Sequence, residues 1–288
     1  MKKGTYFFVK LRRAIAPVLR YLLEHCGPLR FVGVKLMSLY LKPVVEWDGH
    51  TVSVNTTDFG VAFELESTGQ YEATSMKCCK NGLKPGMTFV DVGANIGLFS
   101  LAAGKVVGQT GRVYAFEPDS GNCALLKRNM EQNGYAKVTI VAKAVSDRSG
   151  TCMLFESEFN KGDHRTYEVS KGRKHVTIET VSLDAYFPAG TRIDMIKMDI
   201  EGAEEAALKG MDRIIDENPK LQMIIECWPA GLKENGTDAL TMFRSLEQKG
   251  FTFTLIDDAE DTVTPFDAKT AVKECWKKSV ANILCTKG

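Results

Sequence analysis

The sequence lacks the patterns that mark membrane-spanning or disulfide-stabilised proteins. No apolar run near the N-terminus is long enough for a secretory signal or a membrane span, because Arg12, Arg13, Pro17 and Arg20 interrupt it. The eight cysteines include no Cys-x-x-Cys pair and no neighbouring histidines at metal-ligand spacing. No internal repeat or low-complexity stretch is present. These absences predict a reduced, cytoplasmic protein whose cysteines serve as small core hydrophobes.

The chain has almost no excess of charge of one sign, since its net charge is only +1, but the charges are unevenly distributed. Residues 1–42, the basic lead, are rich in lysine and arginine and contain Glu24 as their single acid, so the remainder is acidic. The lead is either an amphipathic helix in peripheral contact with an anionic membrane or a helical cap on the domain. We favour the cap, because an amphipathic stripe is usually buried within its own protein. An acidic main domain argues against nucleic acid as a partner.

Two regions are expected along the chain. Residues 1–83 predict an N-terminal extension with a short strand pair near 44–54 and helical sequence from 58 to 83, broken at Gly69. From residue 84 onward, apolar strands alternate with helical segments. This alternation predicts an α/β domain over 84–288 with a doubly wound, mostly parallel, Rossmann-like sheet.

The regular alternation changes twice. Residues 151–158 and 175–182 predict a β-hairpin where a plain βα unit would place a helix. Strands near 251–257 and 280–286 are expected to close the sheet as an antiparallel pair.

The runs Met87–Gly97 and Val113–Pro118 together describe one nucleotide-binding crevice. The first is an apolar strand that breaks at Gly93, where the missing Cβ lets the backbone approach a ligand. The second ends in Glu117, which is placed to accept both ribose hydroxyls of an adenosine. A dinucleotide site needs glycines where this chain has Asn95 and a leucine. We therefore predict S-adenosylmethionine rather than NAD; the alternative is a strand–turn–helix whose glycines merely permit packing.

From about residue 58 to the C-terminus, the chain resembles the FkbM-type methyltransferases. The motifs that carry the resemblance are Gly69-Gln-Tyr71-Glu72, Asp91-Val-Gly-Ala-Asn-Ile-Gly97, Phe116-Glu117-Pro118, Ala144-Val-Ser-Asp147, Ser182-Leu-Asp184 and Ile196-Lys-Met-Asp-Ile-Glu-Gly-Ala-Glu204. The resemblance implies a class I methyltransferase fold and methyl transfer from S-adenosylmethionine, typically to a hydroxyl of a sugar or secondary metabolite. One departure is Ala73, where the family usually has proline after Tyr-Glu.

The resemblance also indicates the cofactor contacts. In the resembled fold a polar residue after the third core strand meets the adenine amino group, and Asp147 is our candidate. The alternative for this residue is an Asx turn before Gly150. The candidate cofactor-binding residues are Tyr71, Glu72, Asp91, Gly93, Asn95, Gly97, Glu117, Ser146 and Asp147.

Carboxylates follow the fourth and fifth core strands. Asp199, with Glu201 close behind it, ends one strand and Glu226 lies at the end of the next. Neighbouring strand ends meet in one crevice. Two chemistries remain open: a metal-free general base that accepts a hydroxyl proton, which we favour, or Mg²⁺ held by Asp199 and Glu226. His164 on the hairpin loop is a further candidate base, although a lone histidine in a polar loop is typically a solvated surface residue.

These residues predict an O-methyltransferase acting on a sugar, glycan or small metabolite, with the acceptor held in line with the S–CH₃ bond. Tyr71, Glu72, the hairpin loop and Trp228 are candidate walls for the acceptor. One alternative is an N-methyltransferase acting on protein or RNA. Another is a non-catalytic protein that keeps the nucleotide fold and docks on a membrane.

Overall fold

The computed structural model describes residues 41–58, 60–157, 160–168 and 173–288. Nearly all of the basic lead lies outside the described residues, so both of its interpretations stay predictions. Among the described helices, none is long and apolar enough to cross a membrane.

The first described elements form a small layer ahead of the main sheet. Strands β1 (Val44–Trp47) and β2 (His50–Ser53) pair antiparallel, and helices α1 (Val61–Thr68) and α2 (Ala73–Gly82) follow. Gly69 ends α1 in the left-handed conformation, with φ of 67°, which a residue without Cβ adopts readily. The predicted strand pair and the predicted break at Gly69 are confirmed.

The main sheet begins with three parallel strands connected by helices. In chain order the elements are β3 (Thr88–Val92), α3 (Leu98–Val107), β4 (Arg112–Phe116), α4 (Ser120–Gln132) and β5 (Thr139–Val141). Every residue of β3 is buried, because helices cover both faces of a parallel sheet and its strands are continuously apolar. This part matches the predicted alternation.

The hairpin insertion is confirmed, and it forms a sheet of its own. Strands β6 (Ala144–Val145), β7 (Gly150–Phe155) and β8 (His175–Val181) are arranged in the order β6-β8-β7, with β7 and β8 antiparallel. The short helix α5 (Leu183–Tyr186) leads back to the main sheet. In the chain, the insertion thus lies between the third and fourth parallel strands of the main sheet, which are not neighbours in the sheet.

The second half adds two parallel strands and an antiparallel edge. The elements are β9 (Met195–Met198), α6 (Glu204–Lys209), α7 (Asp212–Glu217), β10 (Gln222–Cys227), α8 (Pro229–Glu234), α9 (Ala239–Gln248), β11 (Phe251–Asp257), β12 (Thr262–Phe266), α10 (Ala268–Lys278) and β13 (Ala281–Lys287). The antiparallel closing pair is confirmed as β11 and β13. Strand β12 and helix α10 are additional. Because β12 is largely exposed and contains Pro265, it has the properties of an edge strand, which apolar periodicity does not reveal.

In the described residues the main sheet has the order β12-β11-β13-β10-β9-β3-β4-β5. Strands β10, β9, β3, β4 and β5 are parallel to their neighbours in this run, and β13 reverses direction. This is the class I methyltransferase arrangement. The chain runs outward from β3 to β5 and then returns to the other side of β3 with β9. A ligand crevice is expected outside the carboxyl ends of β3 and β9, where the strand order switches.

Two large hydrophobic clusters cover the two faces of the sheet. One of them joins Trp47, Val52 and Leu65 of the first layer to Phe89 and Leu101 of the parallel half. Truncating a buried phenylalanine such as Phe89 to alanine costs about 3–5 kcal/mol. Residues 41–83 therefore share a core with the parallel half of the sheet, so the predicted boundary between residues 83 and 84 separates elements that pack together. The described cysteines are free, and each is buried or half-buried.

Candidate functional site

A cavity of about 270 Å³ opens at the carboxyl ends of the parallel strands. The structure brings most of the sequence-predicted site residues to its walls. Those lining it are Tyr71, Glu72, Asp91, Gly93, Asn95, Glu117, His164, Asp199, Glu201 and Glu226. Residues far apart in the sequence, from Tyr71 to Glu226, thus meet at one place.

The turn after β3 needs its glycines for two different reasons. Gly93 has φ of +80°, and a Cβ on it would lie 2.0 Å from the backbone oxygen of Asp199. Gly97 has φ of +92°, and a Cβ there would lie 2.5 Å from Leu126 of α4. Gly93 therefore lets the turn touch the end of β9, whereas Gly97 lets α3 pack on α4. Asn95 also adopts positive φ, at 50°, which asparagine tolerates better than most residues.

Glu117 lies at the end of β4 with its carboxylate held in place by the backbone. Its two oxygens accept hydrogen bonds from the amide of Asn95 at 2.8 Å and from the amide of Asp119 at 2.9 Å. The residue is 5% exposed, and burial raises its pKa to about 7. These bonds pin the acid between the glycine turn and the start of α4, the place that a ribose occupies in this fold class.

Asp91 lies deeper, within β3. Its carboxylate accepts a hydrogen bond of 2.6 Å from the hydroxyl of Ser100 on α3. Burial raises the pKa of Asp91 to about 6, and the bond from Ser100 opposes the rise. The side chain therefore links the first strand to the helix that follows the glycine turn.

A buried lysine that the sequence did not single out lies among the acidic side chains of the cavity lining. We call this part of the lining, which includes Glu72 and Asp199, the acidic wall. Lys197 of β9 is 2% exposed, and its Nζ lies 3.2 Å from Asp199 and 3.8 Å from Glu72. It also lies 3.4 Å from the side-chain oxygen of Asn282 and over the ring of Phe99. A lysine inside an apolar strand needs partners, because burying an unpaired charge is costly. The single lysine in the otherwise apolar run Met195–Met198 could therefore have been predicted from the sequence as a paired, buried residue.

Glu72 reaches the same wall from the N-terminal layer. It precedes α2 in a left-handed conformation with φ of 39°, and its carboxylate accepts a 2.9 Å hydrogen bond from Asn282. Burial raises its pKa to about 7 even though the charge of Lys197 lowers it. The neighbouring hydroxyl of Tyr71 also has a raised pKa, because of burial and then the charge of Glu72. Tyr71 therefore remains a neutral phenol.

Three carboxylates converge beside this lysine. Asp199, Glu201 and Glu226 each present an oxygen, and these atoms lie within 4.8 Å of one another. Burial, followed by the charge of Asp199, raises the pKa values of Glu201 and Glu226 well above the usual carboxyl range. Both are therefore harder to deprotonate than an exposed carboxyl group.

The turn that carries Glu201 has an unusual backbone. Glu201 and Gly202 have consecutive positive φ values of 54° and 98°. Glu204 stabilises the turn, since one of its oxygens accepts from the amides of Ile200 at 3.1 Å and Gly202 at 3.2 Å. A non-glycine residue with positive φ is often found at a functional site, so this geometry supports Glu201 as part of the site.

Of the segment between β7 and β8, the described residues 160–166 cover one side of the cavity. His164 is not the solvated residue that its polar surroundings indicate, because its side chain is only 6% exposed. Arg165 contacts Asp163 at 2.7 Å and lies over the ring of Trp228, 4.2 Å from its centroid. The same ring packs against Gly231. Trp228 is therefore occupied by protein contacts and does not line the cavity, unlike the acceptor wall expected from sequence.

Gly97, at the packing of α3 on α4, does not line the cavity, and two further predicted residues also lie outside it. Asp147 is exposed, accepts a hydrogen bond from Ser146 and pairs with Arg148, and neither Ser146 nor Asp147 is among the lining residues. Residues 143–145 line it instead. The reason is that β5 ends at Val141 and the chain then turns into the smaller sheet through β6. The Ser-Asp pair is carried past the crevice.

Proteins with similar sequences bear on this geometry. The family described as "Methyltransferase FkbM domain" matches residues 91–253. A protein named Methyltransferase sdnD from Sordaria araneosa is 31% identical over 220 residues, which cover 64% of this chain and 81% of the relative. Methyltransferase 1 from Beauveria bassiana is 26% identical over 185 residues, 56% of this chain and 71% of the relative. Among solved structures, an S-adenosylmethionine-dependent methyltransferase from Aquifex aeolicus aligns over 74% of this chain and 88% of its own, with a TM-score of 0.43 and 15% identity.

Proposed function

Because the chain belongs to the FkbM methyltransferase family and is an S-adenosylmethionine-dependent methyltransferase, we propose that it methylates a hydroxyl of a sugar, glycan or small metabolite. The observation that carries this proposal is the convergence of Asp199, Glu201 and Glu226 at the rim of the cofactor cavity. A hydroxyl is a weak nucleophile near neutral pH. It benefits from a base that removes its proton during transfer, by about 10²- to 10⁴-fold.

Asp199 is our candidate base within this group. Burial and the charge of Asp199 raise the pKa values of Glu201 and Glu226, which disfavours the deprotonated form that a base needs. Asp199 is the member that contacts the ammonium of Lys197, at 3.2 Å. A neighbouring carboxyl group that holds its proton is a hydrogen-bond donor, suited to orienting the hydroxyl oxygens of a polyol.

The reaction is balanced without a further reactant. The acceptor oxygen forms a bond to the methyl carbon while the sulfur–methyl bond breaks, and the hydroxyl proton passes to Asp199. The sulfonium becomes neutral S-adenosylhomocysteine. Most of the acceleration comes from holding the oxygen in line with the S–CH₃ bond, a proximity effect that is available only where the cofactor and acceptor share one cavity.

Mg²⁺ is a second candidate partner of the same acids. Mg²⁺ prefers oxygen ligands, and Asp199, Glu201 and Glu226 are the residues that would hold it. The three carboxylate oxygens lie within 4.8 Å of one another, so their spacing and chemistry are compatible with a divalent cation. A bound cation would supply Lewis-acid lowering of the hydroxyl pKa. We favour the metal-free base, because Lys197 already provides a positive charge beside Asp199.

The acceptor is proposed to be small or a glycan. Outside the basic lead the chain is net acidic, and several of its acidic residues line the cavity. A nucleic acid would require a basic face around the site. An N-methyltransferase for RNA is therefore disfavoured.

The test is product analysis. The full chain is incubated with S-adenosylmethionine and panels of monosaccharides, nucleotide sugars and hydroxylated metabolites, with and without EDTA, and the products are analysed by mass spectrometry and NMR. An O-methyl product that the Asp199→Asn variant does not form is the expected result. A methyl group on nitrogen or carbon would contradict the proposal, and loss of activity in EDTA that Mg²⁺ restores would assign the acids to a metal.

A further inference from the structure

The described part of the β7–β8 connection, residues 160–168, bridges the cavity from one side to the other. Near β4, the amide of Lys161 donates to Asp58 at 3.0 Å, and the side chain of Asn122 donates to the carbonyl of Lys161 at 3.0 Å. Near β9, the hydroxyl of Tyr167 donates to the carbonyl of Glu201 at 2.9 Å. The segment is therefore anchored on both sides of the cofactor cavity, and His164 lies between the anchors.

The hydrogen bonding of His164 determines where its proton lies. The ring nitrogen Nδ1 accepts a 2.9 Å hydrogen bond from the amide of Ser157. A ring nitrogen that accepts carries no proton, so the neutral imidazole has its proton on Nε2. Burial lowers the pKa of His164, although the charge of Asp119 opposes this, so the neutral form dominates at neutral pH.

Nε2–H is consequently a buried donor in need of an acceptor. Among the described residues it has no hydrogen-bond partner. The carboxylate of Asp119 is 4.0 Å away, beyond hydrogen-bond distance. Native proteins pair almost all buried polar groups, so a donor left unpaired at the wall of a ligand cavity points to the ligand.

The position of His164 indicates which part of the ligand it meets. Its Nε2 lies 4.0 Å from Asp119, which follows Glu117 by two residues and caps the start of α4, and His164 and Glu117 line the same cavity. This is the adenosine side of the crevice, since Glu117 is placed for the ribose. Its carboxylate neighbour is Asp119, whereas the acids proposed for catalysis lie at the ends of β9 and β10.

We propose that His164 is a cofactor-binding residue whose Nε2–H donates a hydrogen bond to an acceptor atom of the adenosine, a purine ring nitrogen or a ribose oxygen. This assignment rests on the proposed function only for the identity of the cofactor and not for the acceptor. It also removes His164 from the candidate bases, because one ring nitrogen already bears a proton and the lone pair of the other is taken by Ser157. The segment 160–168 then closes over the cofactor through a specific contact.

Two substitutions distinguish the roles of the two ring nitrogens of His164. His164→Asn keeps an acceptor near the position of Nδ1 for Ser157 but lacks the Nε2–H donor. His164→Gln places an N–H donor near Nε2 and gives up the Nδ1 acceptor. Titration calorimetry with S-adenosylhomocysteine is expected to show about tenfold weaker binding for His164→Asn and a change within about threefold for His164→Gln. Melting temperatures without ligand check that both variants fold.

Analogues of S-adenosylhomocysteine identify the acceptor atom. In each, one purine ring nitrogen is replaced by C–H, the ribose ring oxygen by methylene, or one ribose hydroxyl by hydrogen. One analogue is expected to bind the wild-type protein about tenfold more weakly than S-adenosylhomocysteine does. The same analogue should bind His164→Asn with no additional loss of affinity. Wild-type affinity in His164→Asn, equal losses in both variants, or the absence of such an analogue would overturn the proposal. Because the measurement is cofactor-product binding, it is unaffected if the methylated acceptor atom is nitrogen rather than oxygen.

Discussion

The ammonium of Lys197 lies 3.2 Å from the carboxylate of Asp199, and both side chains line the cofactor cavity. The lysine is 2% exposed and the aspartate 24%, so the pair joins a buried cation to a partly exposed carboxylate. The same cation lies 3.8 Å from Glu72 and over the ring of Phe99. It compensates an acidic wall that would otherwise be unfavourable to bury.

Replacing Lys197 by methionine should destabilise the protein. The change leaves buried carboxylates without their cation, so the free energy of unfolding in urea at pH 7 is expected to fall by about 3–5 kcal/mol. Lys209→Met is the matched control, because that lysine makes a pair of the same 3.2 Å length with Glu205 but is 64% exposed. Its loss should cost less than about 1 kcal/mol. Equal effects of the two changes would show that Lys197 does not compensate buried charge.

Replacing Asp199 by asparagine should remove catalysis while sparing the cofactor. Asparagine keeps the shape and loses the charge that a base needs, so kcat is expected to fall at least about 10²-fold, with the Kd for S-adenosylhomocysteine near wild type. Glu226→Gln should be milder, because burial raises the pKa of Glu226 and glutamine resembles the protonated acid that this shift favours. Single-turnover kinetics and calorimetry measure the two quantities. Full turnover by Asp199→Asn on the true acceptor would place the base elsewhere.

The protein without its cofactor should lose stability as the pH rises from about 4.5 to about 7. Burial raises the pKa of Glu117 from 4.5 to about 7, so the folded state holds a proton that the unfolded state has released. The stabilisation is complete below about pH 4.5 and is lost by about pH 7, amounting to up to about 3 kcal/mol. Urea unfolding at a series of pH values measures the slope, which Glu117→Gln should reduce. An unchanged slope in that variant would mean that Glu117 titrates alike in both states.

Gly93→Ala should disrupt the junction of the glycine turn with β9. The new Cβ would lie 2.0 Å from the backbone oxygen of Asp199, so the turn must move. The free energy of unfolding is expected to fall by at least about 3 kcal/mol, and cofactor binding should be lost as well. Gly134→Ala is the control, since its φ of +78° matches the +80° of Gly93 but nothing lies within 4 Å. That control should cost about 1–2 kcal/mol from backbone conformation alone. Thermal unfolding and S-adenosylhomocysteine titration of both variants provide the comparison, and similar losses would argue against the steric explanation.

The sequence by itself determined the features that depend on neighbouring residues. The apolar strands, the break at Gly93 and the acid at the end of β4 are local signals, because strand burial, positive φ and strand-end position each follow from a few consecutive residues. The hairpin insertion and the antiparallel closing pair were predictable for the same reason. The exposed edge strand β12 was not, since it lacks the apolar periodicity on which such predictions depend.

Only the tertiary structure decided which polar groups share an environment. Lys197 meets Glu72 and Asn282 from distant parts of the chain, and His164 is buried because its segment is anchored to Asp58 and Glu201 at opposite sides of the cavity. Ser146 and Asp147 follow the third core strand as the motif predicts, yet the turn into the smaller sheet carries them away from the cavity. Burial, proton affinity and orientation depend on groups brought together by folding, and no local pattern records them.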